Sequence, residues 1–314
     1  MSHFDRALEL AERGRGTTHP NPVVGAVVAR GDDVVGEGWH ERTGGPHAEA
    51  VALERAGERA RGATLYVTLE PCSHTGLTPP CADAVIAAGV ARVVAGQIDP
   101  NPEVSGAGVE RLRKAGIEVE VSDDPRARRQ LEAYRTWRLL GRPFVTYKAA
   151  VTLDGRMTVP GSRWISGEES RRLVHELRAA SDAVAVGMGT VRADSSRLDA
   201  RDVNAARQPR RLAFGSGPLP EGSELELVSG PLEDALRRLA EDGVQSLLLE
   251  GGPTLASAFL RADLVDKLMV FVAPKVSGTG PVPVEALPVP LGLSGLTAQA
   301  VGEDVLLTAY VHEP

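Results

Sequence analysis

The chain has 314 residues, of which 42% are hydrophobic and 25% are charged. This composition is typical of a globular protein, and the length predicts roughly two domains. No run of about 18 apolar residues is present, which excludes a transmembrane helix. The first residues also lack the pattern of a secretory signal. The sequence therefore predicts a soluble cytoplasmic protein.

The charge balance and the cysteine content restrict the partners and the compartment. The chain carries 35 Lys and Arg residues against 42 Asp and Glu residues, a net charge of −7. This sign disfavours nucleic acid as a partner but allows a local basic pocket for a small phosphorylated ligand. Only two cysteines occur, Cys72 and Cys81, which excludes a disulfide framework.

Apolar periodicity predicts alternating strands and helices in the first half. The predicted elements are a helix over 2–13, a hairpin of strands over 23–29 and 34–38, a helix over 47–60, a strand over 63–69, a helix from Pro80, a strand over 92–95, a helix over 107–115, a strand over 117–121 and a helix over 125–140. This alternation favours an open sheet of roughly five strands with helices on both faces.

A second alternating pattern follows the interruption at Gly141-Arg142-Pro143. It predicts a strand over 144–151, a helix over 167–180, strands over 183–186 and 211–213, a helix over 231–242, a strand over 246–249, a helix over 253–261, and strands over 268–273 and 305–311. The proline-rich run 281–290 is predicted as a loop or an edge, because proline cannot donate to a central ladder. The sequence thus predicts two α/β domains, 1–143 and 144–314.

Three short segments of the first half carry metal-binding chemistry: Pro46-His47-Ala48-Glu49, Glu70-Pro71-Cys72 and Pro79-Pro80-Cys81. Each His or Cys is predicted at a helix start or just after a strand. The positive end of a helix favours the thiolate form of cysteine, which is the form that binds zinc. One imidazole and two thiolates leave a fourth coordination position open, as in catalytic zinc sites.

Glu49 follows His47 by two residues and is predicted to move protons between a zinc-activated water and a leaving amine. The order H-x-E, then P-C, then a second Cys is typical of zinc nucleobase deaminases. The spacing departs from the usual C-x-x-C because residues 73–80 separate the cysteines. Within this insertion, His74 is assigned either to the substrate pocket or to a solvated loop. The alternative interpretation is a chance His-Ala-Glu with two inert, buried thiols.

Four strings of the first half resemble the bifunctional deaminase and reductase family of riboflavin biosynthesis: HPNPVVGAVV (19–28), PHAEAVAL (46–53), TLEPCSHTGLTPPCADAVIAAGV (68–90) and DPNPEVSGAG (99–108). The resemblance implies a cytidine-deaminase-like three-layer domain with zinc on His47, Cys72 and Cys81 and with Glu49 as proton shuttle. It implies hydrolytic loss of the 2-amino group from 2,5-diamino-6-ribosylamino-4(3H)-pyrimidinone 5′-phosphate. Asn21 is either a partner of the ring amide or simply a turn residue before proline.

Glycine pairs mark two strand ends of the second half, at Gly187 with Gly189 and at Gly251-Gly252. Glycine lets the backbone approach a phosphate closely, and a helix start offers N–H groups to it. Glycine at a strand end is also common for turn geometry alone. No G-x-G-x-x-G follows a strand, so a Rossmann dinucleotide site is unsupported.

Lys148 with 152–156, and the segments 164–166, 189–194, 250–255 and 273–275, resemble the reductase half of the same family. The resemblance implies a dihydrofolate-reductase-like domain that binds NADPH and delivers hydride to C1′ of the opened ribosyl group. The residues implied to contact the cofactor are Ala150, Trp164, Thr190, Asp194, Ser216, Gly252, Pro253, Thr254, Leu255, Ala256, Ser257 and Ala258. The residues implied to hold the substrate are Ser162, Arg178, Leu198, Arg201 and Glu250.

Arg178 and Arg201 suit a ribose phosphate, because guanidinium groups match phosphate oxygens. On spacing alone, Arg178 is a solvated position on a helix face. Ser195-Ser196 stand where the family usually has Asp-Pro, a departure that concerns the loop over the substrate. A homo-oligomer formed through the second domain is a further hypothesis.

Three alternatives remain open on the sequence. The first is a zinc deaminase of another nucleobase with a degenerate second domain. The second is a nucleic-acid editing protein, which the acidic charge balance disfavours. The third is a purely structural zinc module, in which replacement of Glu49 would change nothing.

Overall fold

The computed structural model describes residues 1–74, 79–102, 104–194, 197–205 and 207–314. The chain divides into two compact units, Met1–Leu140 and Gly141–Glu313. In these described ranges, no helix is both long enough and apolar enough to cross a membrane.

The first unit alternates strands and helices. Its elements are α1 (His3–Glu12), β1 (Gly25–Arg30), β2 (Asp33–Trp39), α2 (Ala48–Ala56), a 3-10 turn (Gly57–Ala60), β3 (Thr64–Val67), α3 (Cys81–Ala87), β4 (Arg92–Ala95), α4 (Ala107–Lys114), β5 (Glu118–Val121), α5 (Pro125–Gln130) and α6 (Glu132–Leu140). The five strands form one sheet in the order β2-β1-β3-β4-β5. The predicted hairpin is confirmed by antiparallel pairing of β1 with β2, while β3, β4 and β5 run parallel.

The core of the first unit is built from small apolar side chains. Ala26, Leu65 and Val93 of the sheet are fully buried in one cluster with Ala52 of α2 and Val85 of α3. Such side chains allow helices to approach the sheet closely. The starts of α2 and α3, which carry the predicted metal ligands, are thereby fixed against the sheet.

Two glycines of β2 let α2 lie directly on the strand. A Cβ atom on Gly36 would overlap the carbonyl oxygen of Ala52, and one on Gly38 would lie 2.7 Å from the backbone nitrogen of Ala52. Because the overlapping atoms belong to the helix backbone, they cannot move aside without moving α2.

We therefore expect Gly38→Ala to lower the free energy of unfolding by about 1–3 kcal/mol, the usual cost of overpacking. Hydrogen–deuterium exchange should show lost protection of the α2 amides. Gly292→Ala is the control, because nothing lies within 4 Å of its Cβ position, and it should leave that protection unchanged. Equal protection of α2 in the two variants would contradict the packing argument.

The second unit is a larger α/β unit. Its elements are β6 (Phe144–Thr152), α7 (Glu168–Ala180), β7 (Ala183–Gly187), α8 (Met188–Asp194), β8 (Arg210–Phe214), β9 (Glu226–Val228), α9 (Leu232–Glu241), β10 (Ser246–Leu249), α10 (Pro253–Arg261), β11 (Lys267–Ala273), β12 (Ser294–Val301) and β13 (Asp304–Tyr310). The eight strands form one sheet in the order β12-β13-β11-β6-β10-β7-β8-β9. The stretch from β11 to β9 in this order is parallel, whereas β13 pairs antiparallel with both β11 and β12.

The parallel centre of this sheet sets the position of the second candidate site. Strands β10 and β7 are neighbours and run in the same direction, so their carboxyl ends meet at one edge. The buried residues Leu247, Leu249 and Ala185 of these strands pack with Ala256 and Phe259 of α10 in one cluster. In open parallel sheets, ligands bind at this edge.

Several predicted elements differ from the structure. The predicted helix over 125–140 is two helices, because Leu131 leaves the helical conformation at φ −106° and ψ 18°. The strands β9 and β12 and the helix α8 were not predicted. The proline-rich run 281–290 forms neither helix nor strand, which confirms the predicted loop.

Candidate functional site

The three predicted metal ligands of the first unit lie at helix starts or next to one. His47 is the N-cap residue of α2, and Cys81 is the first residue of α3. Cys72 lies in the loop after β3, and its carbonyl oxygen accepts a hydrogen bond from the backbone N–H of Ala82 in α3. The sheet and the two helix starts thus bring residues 34 positions apart to one point.

The ligand atoms of His47, Cys72 and Cys81 all lie within 4.8 Å of one another. The Nδ1 atom of His47 is 3.2 Å from Sγ of Cys81 and 3.6 Å from Sγ of Cys72. Three ligands bound to one zinc ion at about 2.0–2.3 Å have this mutual spacing in a tetrahedral arrangement. The predicted convergence is present, and the donor set fits a zinc ion.

Hydrogen bonding shifts the ionisation of the two cysteines in opposite directions. The Cys81 thiol donates to Cys72 and, together with His47 and the Cys81 backbone N–H 3.3 Å away, lowers the pKa of Cys72 to about 4. The same thiol-to-sulfur hydrogen bond raises the pKa of Cys81. One sulfur is therefore a ready metal ligand, and the other gives up its proton when a cation binds.

Glu49 is the buried acid beside this cluster. It lies in the first turn of α2 and its side chain is 3% exposed. Burial, together with the nearby Cys72 sulfur, raises the pKa of Glu49 to about 7, although the charge of His47 acts in the opposite sense. A carboxyl group with a pKa near neutrality both accepts and donates protons readily, as general acid–base catalysis requires.

A cavity of about 220 Å³ opens beside the cluster, and Asn21, His74 and Glu49 line it. The ring of His40 is buried. Its Nδ1 atom is 3.0 Å from the carbonyl oxygen of Pro46, and its Nε2 atom is 3.3 Å from Nδ2 of Asn21. Burial lowers the pKa of His40, so the ring is neutral, with Nδ1 donating and Nε2 accepting. Asn21 therefore donates its amide N–H to His40, which leaves its carbonyl oxygen for a ligand.

Glu70 ties the loop that carries Cys72 to a second loop of the cavity. Its buried carboxylate accepts four backbone hydrogen bonds of 2.8–3.1 Å, from Asp99, Gly106, Gly108 and Val109. The last two donors lie in the first turn of α4, where a carboxylate is favoured by the positive helix end. This side chain fixes Asp99 and the start of α4 relative to the metal-binding loop.

The second unit contains a buried cluster of charges at the carboxyl end of β10. Glu250 forms a two-pronged ion pair with Arg178 at 2.6 and 3.0 Å, and Nζ of Lys148 lies 3.6 Å from it. These positive charges lower the pKa of Glu250 against the effect of burial. Arg178 also donates to the carbonyl oxygen of Asp199, whose carboxylate pairs with Arg201 at 2.7 Å. Arg178 is thus a partly buried member of a network rather than a solvated position.

The two predicted glycine-containing strand ends are also close together. A Cβ atom on Gly252, the N-cap of α10, would lie 3.7 Å from Oγ1 of Thr190 in α8. Ser216 joins the same edge, since its carbonyl oxygen accepts a hydrogen bond from Arg192 of α8. The starts of α8 and α10 therefore place backbone N–H groups where a phosphate could be held.

The other predicted residues of the second unit differ in what their side chains offer. Trp164 is 47% exposed between Arg163 and Arg171, and Ser162 donates to its carbonyl oxygen. Leu198 and Ala256 are buried in the core, so only their backbone is available to a ligand. Ala150, Asp194, Pro253, Thr254, Leu255, Ser257 and Ala258 lie in or at the ends of β6, α8 and α10.

Sequence reasoning assigned no role to Glu70, His40, Lys148 or Asp199. The sequence did offer one signal for Glu70: a carboxylate placed directly after an apolar strand, in the Glu-Pro-Cys segment. The departure at Ser195-Ser196 and four of the eight residues of the insertion between the cysteines, 75–78, lie outside the described residues.

The first unit has the elements of a zinc deaminase: one histidine and one cysteine at helix starts, a second cysteine in a neighbouring loop, and a buried glutamate beside them. Residues 1–97 match the cytidine and deoxycytidylate deaminase zinc-binding region, and residues 143–307 match the RibD C-terminal domain. The predicted α/β fold class, with a deaminase-type first half, is confirmed.

The chain is similar over most of its length to several riboflavin biosynthesis proteins. It is 42% identical to the riboflavin biosynthesis protein RibD of Aquifex aeolicus, with 89% of this chain and 88% of that protein covered. It is 41% identical to RibD of Escherichia coli, with 88% of each covered. The structure of Acinetobacter baumannii RibD superimposes with a TM-score of 0.89 at 36% identity, covering 98% of this chain and 97% of that one.

A structure of a diaminohydroxyphosphoribosylaminopyrimidine deaminase/5-amino-6-(5-phosphoribosylamino)uracil reductase from Thermotoga maritima superimposes with a TM-score of 0.86, also at 36% identity, over 98% of this chain and 97% of that one. The chain belongs to the RibD family, the bifunctional deaminases and reductases of riboflavin biosynthesis. The family resemblance seen in the sequence is confirmed.

The role of Glu70 gives a prediction on stability. Glu70→Ala should lower the free energy of unfolding by at least about 3 kcal/mol, because two buried and two partly buried backbone N–H groups lose their acceptor. The measurement is urea unfolding of the zinc-loaded full chain. Glu118→Gln is the matched control, since this carboxylate on β5 is 71% exposed and surface ion pairs contribute about 0–1 kcal/mol. A similar small effect of both substitutions would contradict the assigned role.

Proposed function

We propose that this chain converts 2,5-diamino-6-ribosylamino-4(3H)-pyrimidinone 5′-phosphate into 5-amino-6-(5-phosphoribitylamino)uracil in two steps. The first unit removes the 2-amino group by hydrolysis, with ammonia as the leaving product. The second unit reduces the ribosyl group to a ribityl chain. The observation that carries the proposal is the His47–Cys72–Cys81 cluster with buried Glu49 beside it, in a chain of this family.

The deaminase residues have separate roles in the proposal. His47, Cys72 and Cys81 hold the zinc ion, which when bound lowers the pKa of a water molecule at its open position. Glu49 accepts the proton of that water and returns it to the departing amine. Asn21 accepts a hydrogen bond from the ring amide through the carbonyl oxygen that His40 leaves free. The side chain of Glu49 is buried, which shields it from most of the solvent.

The proposed domains span 1–143 and 144–314. The second of them is proposed to bind NADPH in the manner of a dihydrofolate reductase. NADPH supplies the hydride that reduces C1′ when it is bound. Thr190, Ser216 and the helix start at Gly252 hold the cofactor, with Ala150, Trp164, Asp194 and residues 253–258. Arg178, Arg201, Glu250, Ser162 and the backbone of Leu198 hold the substrate. The adjacency of the α8 and α10 starts supports this assignment.

The proposed partner is a small phosphorylated aminopyrimidine rather than nucleic acid, in keeping with the net charge of −7. We propose that the enzyme works in the cytoplasm, where thiols stay reduced. The two free cysteines are needed in that form as metal ligands. Self-association through the second domain is also proposed, and sedimentation of the full chain tests it.

Glu49→Gln should lower kcat for deamination by about 10²- to 10⁴-fold, the usual contribution of a general acid–base group. Zinc content by metal analysis should stay at the wild-type value, because Glu49 is not a ligand in the proposal. Glu54→Gln is the control, since it makes the same change at an exposed position of the same helix. Unaltered deamination by Glu49→Gln would contradict the mechanism.

Cys81→Ser should abolish stoichiometric zinc binding and deamination, because one of the three ligands is lost. NADPH-dependent reduction of separately supplied 5-amino-6-(5-phosphoribosylamino)uracil should persist within about twofold, since the two units have separate cores. Metal analysis and the two assays on one preparation measure both effects. Loss of both activities in a folded protein would show that the units do not act independently.

Absence of NADPH binding in a fluorescence titration of the wild type would refute the reductase assignment.

A further inference from the structure

The cavity that contains Glu49 and the metal cluster is also lined by two residues of α6. Tyr134 and Arg138 of this helix face the same space as Asn21, His47 and Glu49. The deaminase mechanism above assigns no role to either residue. The basic segment 125–140 contains five arginines, Arg126, Arg128, Arg129, Arg135 and Arg138.

The charges of the cavity are unbalanced for an anionic substrate. Its described lining contains the carboxyl groups of Glu49, Glu70 and Asp99, and among these lining residues Arg138 is the single Lys or Arg. A phosphate ester near three carboxyl groups needs a cation to offset the repulsion. Arg138 is exposed to solvent, so it can meet the charged end of an entering ligand.

The guanidinium group of Arg138 is held on aromatic faces. It lies 4.3 Å from the ring centroid of Trp137 and 5.5 Å from that of Tyr134. The Tyr134 hydroxyl in turn donates to Oδ1 of Asp99 at 3.4 Å. The guanidinium group also forms a hydrogen bond with Tyr134. Stacking occupies its flat face, and the remaining N–H groups at its edge are placed for hydrogen bonds to phosphate oxygens.

The neighbouring arginines are engaged elsewhere. Arg126 pairs with Asp5 and Asp124, Arg128 lies 3.6 Å from Asp123, and Arg135 donates to Oε1 of Gln97. None of these three arginines is among the residues that line the cavity. Among the arginines of segment 125–140, Arg138 is the one that lines the cavity.

We propose that Arg138 is the residue that binds the 5′-phosphate of the substrate in the deaminase cavity. This inference rests on the proposed function, because it requires a phosphorylated pyrimidine in the first unit. Arg138 acts on binding and specificity, not on the bond that breaks. It gives the cavity its preference for a ribotide over the corresponding dephosphorylated riboside.

The experiment compares deamination of the ribotide and of its dephosphorylated riboside by the wild type and by Arg138→Gln. For the ribotide, Arg138→Gln should raise KM by about 10- to 100-fold, the value of a charge-assisted hydrogen bond, with little change in kcat. For the riboside, both parameters should stay within about twofold of the wild type. Arg138→Lys should fall between the two, because lysine keeps the charge but not the fork.

Arg128→Gln is the matched control, since it removes an equal charge from the adjacent helix outside the cavity. Zinc content and NADPH-dependent reduction verify that each variant is folded. A ribotide preference that persists in Arg138→Gln would overturn the inference and leave the proposed function intact. An equal loss on both substrates would also overturn it. A wild type that deaminates neither compound would instead refute the proposed function, before any variant is considered.

Discussion

The convergence of two helix starts on one loop is the constraint on which the first unit depends. His47 caps α2, Cys81 begins α3, and Cys72 sits between them on the loop after β3. Each sulfur and the imidazole nitrogen are then within one coordination sphere. Neither helix could shift by a turn, about 5.4 Å, without separating the ligand atoms. The small apolar core and the Glu70 carboxylate both serve to prevent such a shift.

The sequence predicted well those features that depend on local pattern. The ligand cluster was predictable because His47, Cys72 and Cys81 each stand at a recognisable helix start or strand end. The interactions of Glu70 were not, because its four donors come from residues 99–109, which meet it only through the fold. The position of Arg138 beside the cavity was unpredictable for the same reason, because the cavity is formed by segments that are far apart in the chain.

The missed elements have physical reasons of their own. Helix α8 begins at Met188, between two glycines that favour a turn, although Met188 and Val191 pack in the core and the chain continues as a helix. Strand β12 consists mainly of small and polar residues, and seven of its eight residues are exposed, so it lacks the hydrophobic alternation that identifies a strand. Arg178 was ambiguous because a helical position alone does not reveal a buried partner, and Glu250 lies 72 residues away.

The close contact between α2 and β2 determines which substitutions in the sheet would displace the helix that carries His47 and Glu49. Where it crosses β2, the helix that bears His47 and Glu49 rests on peptide atoms at Gly36 and Gly38, whereas its other contacts are with small apolar side chains of the core. Main-chain geometry cannot be tuned by gaining or losing a methyl group. The reactive end of α2 therefore depends on two positions of β2 that carry no side chain, because a single added carbon at either one would push against the helix backbone.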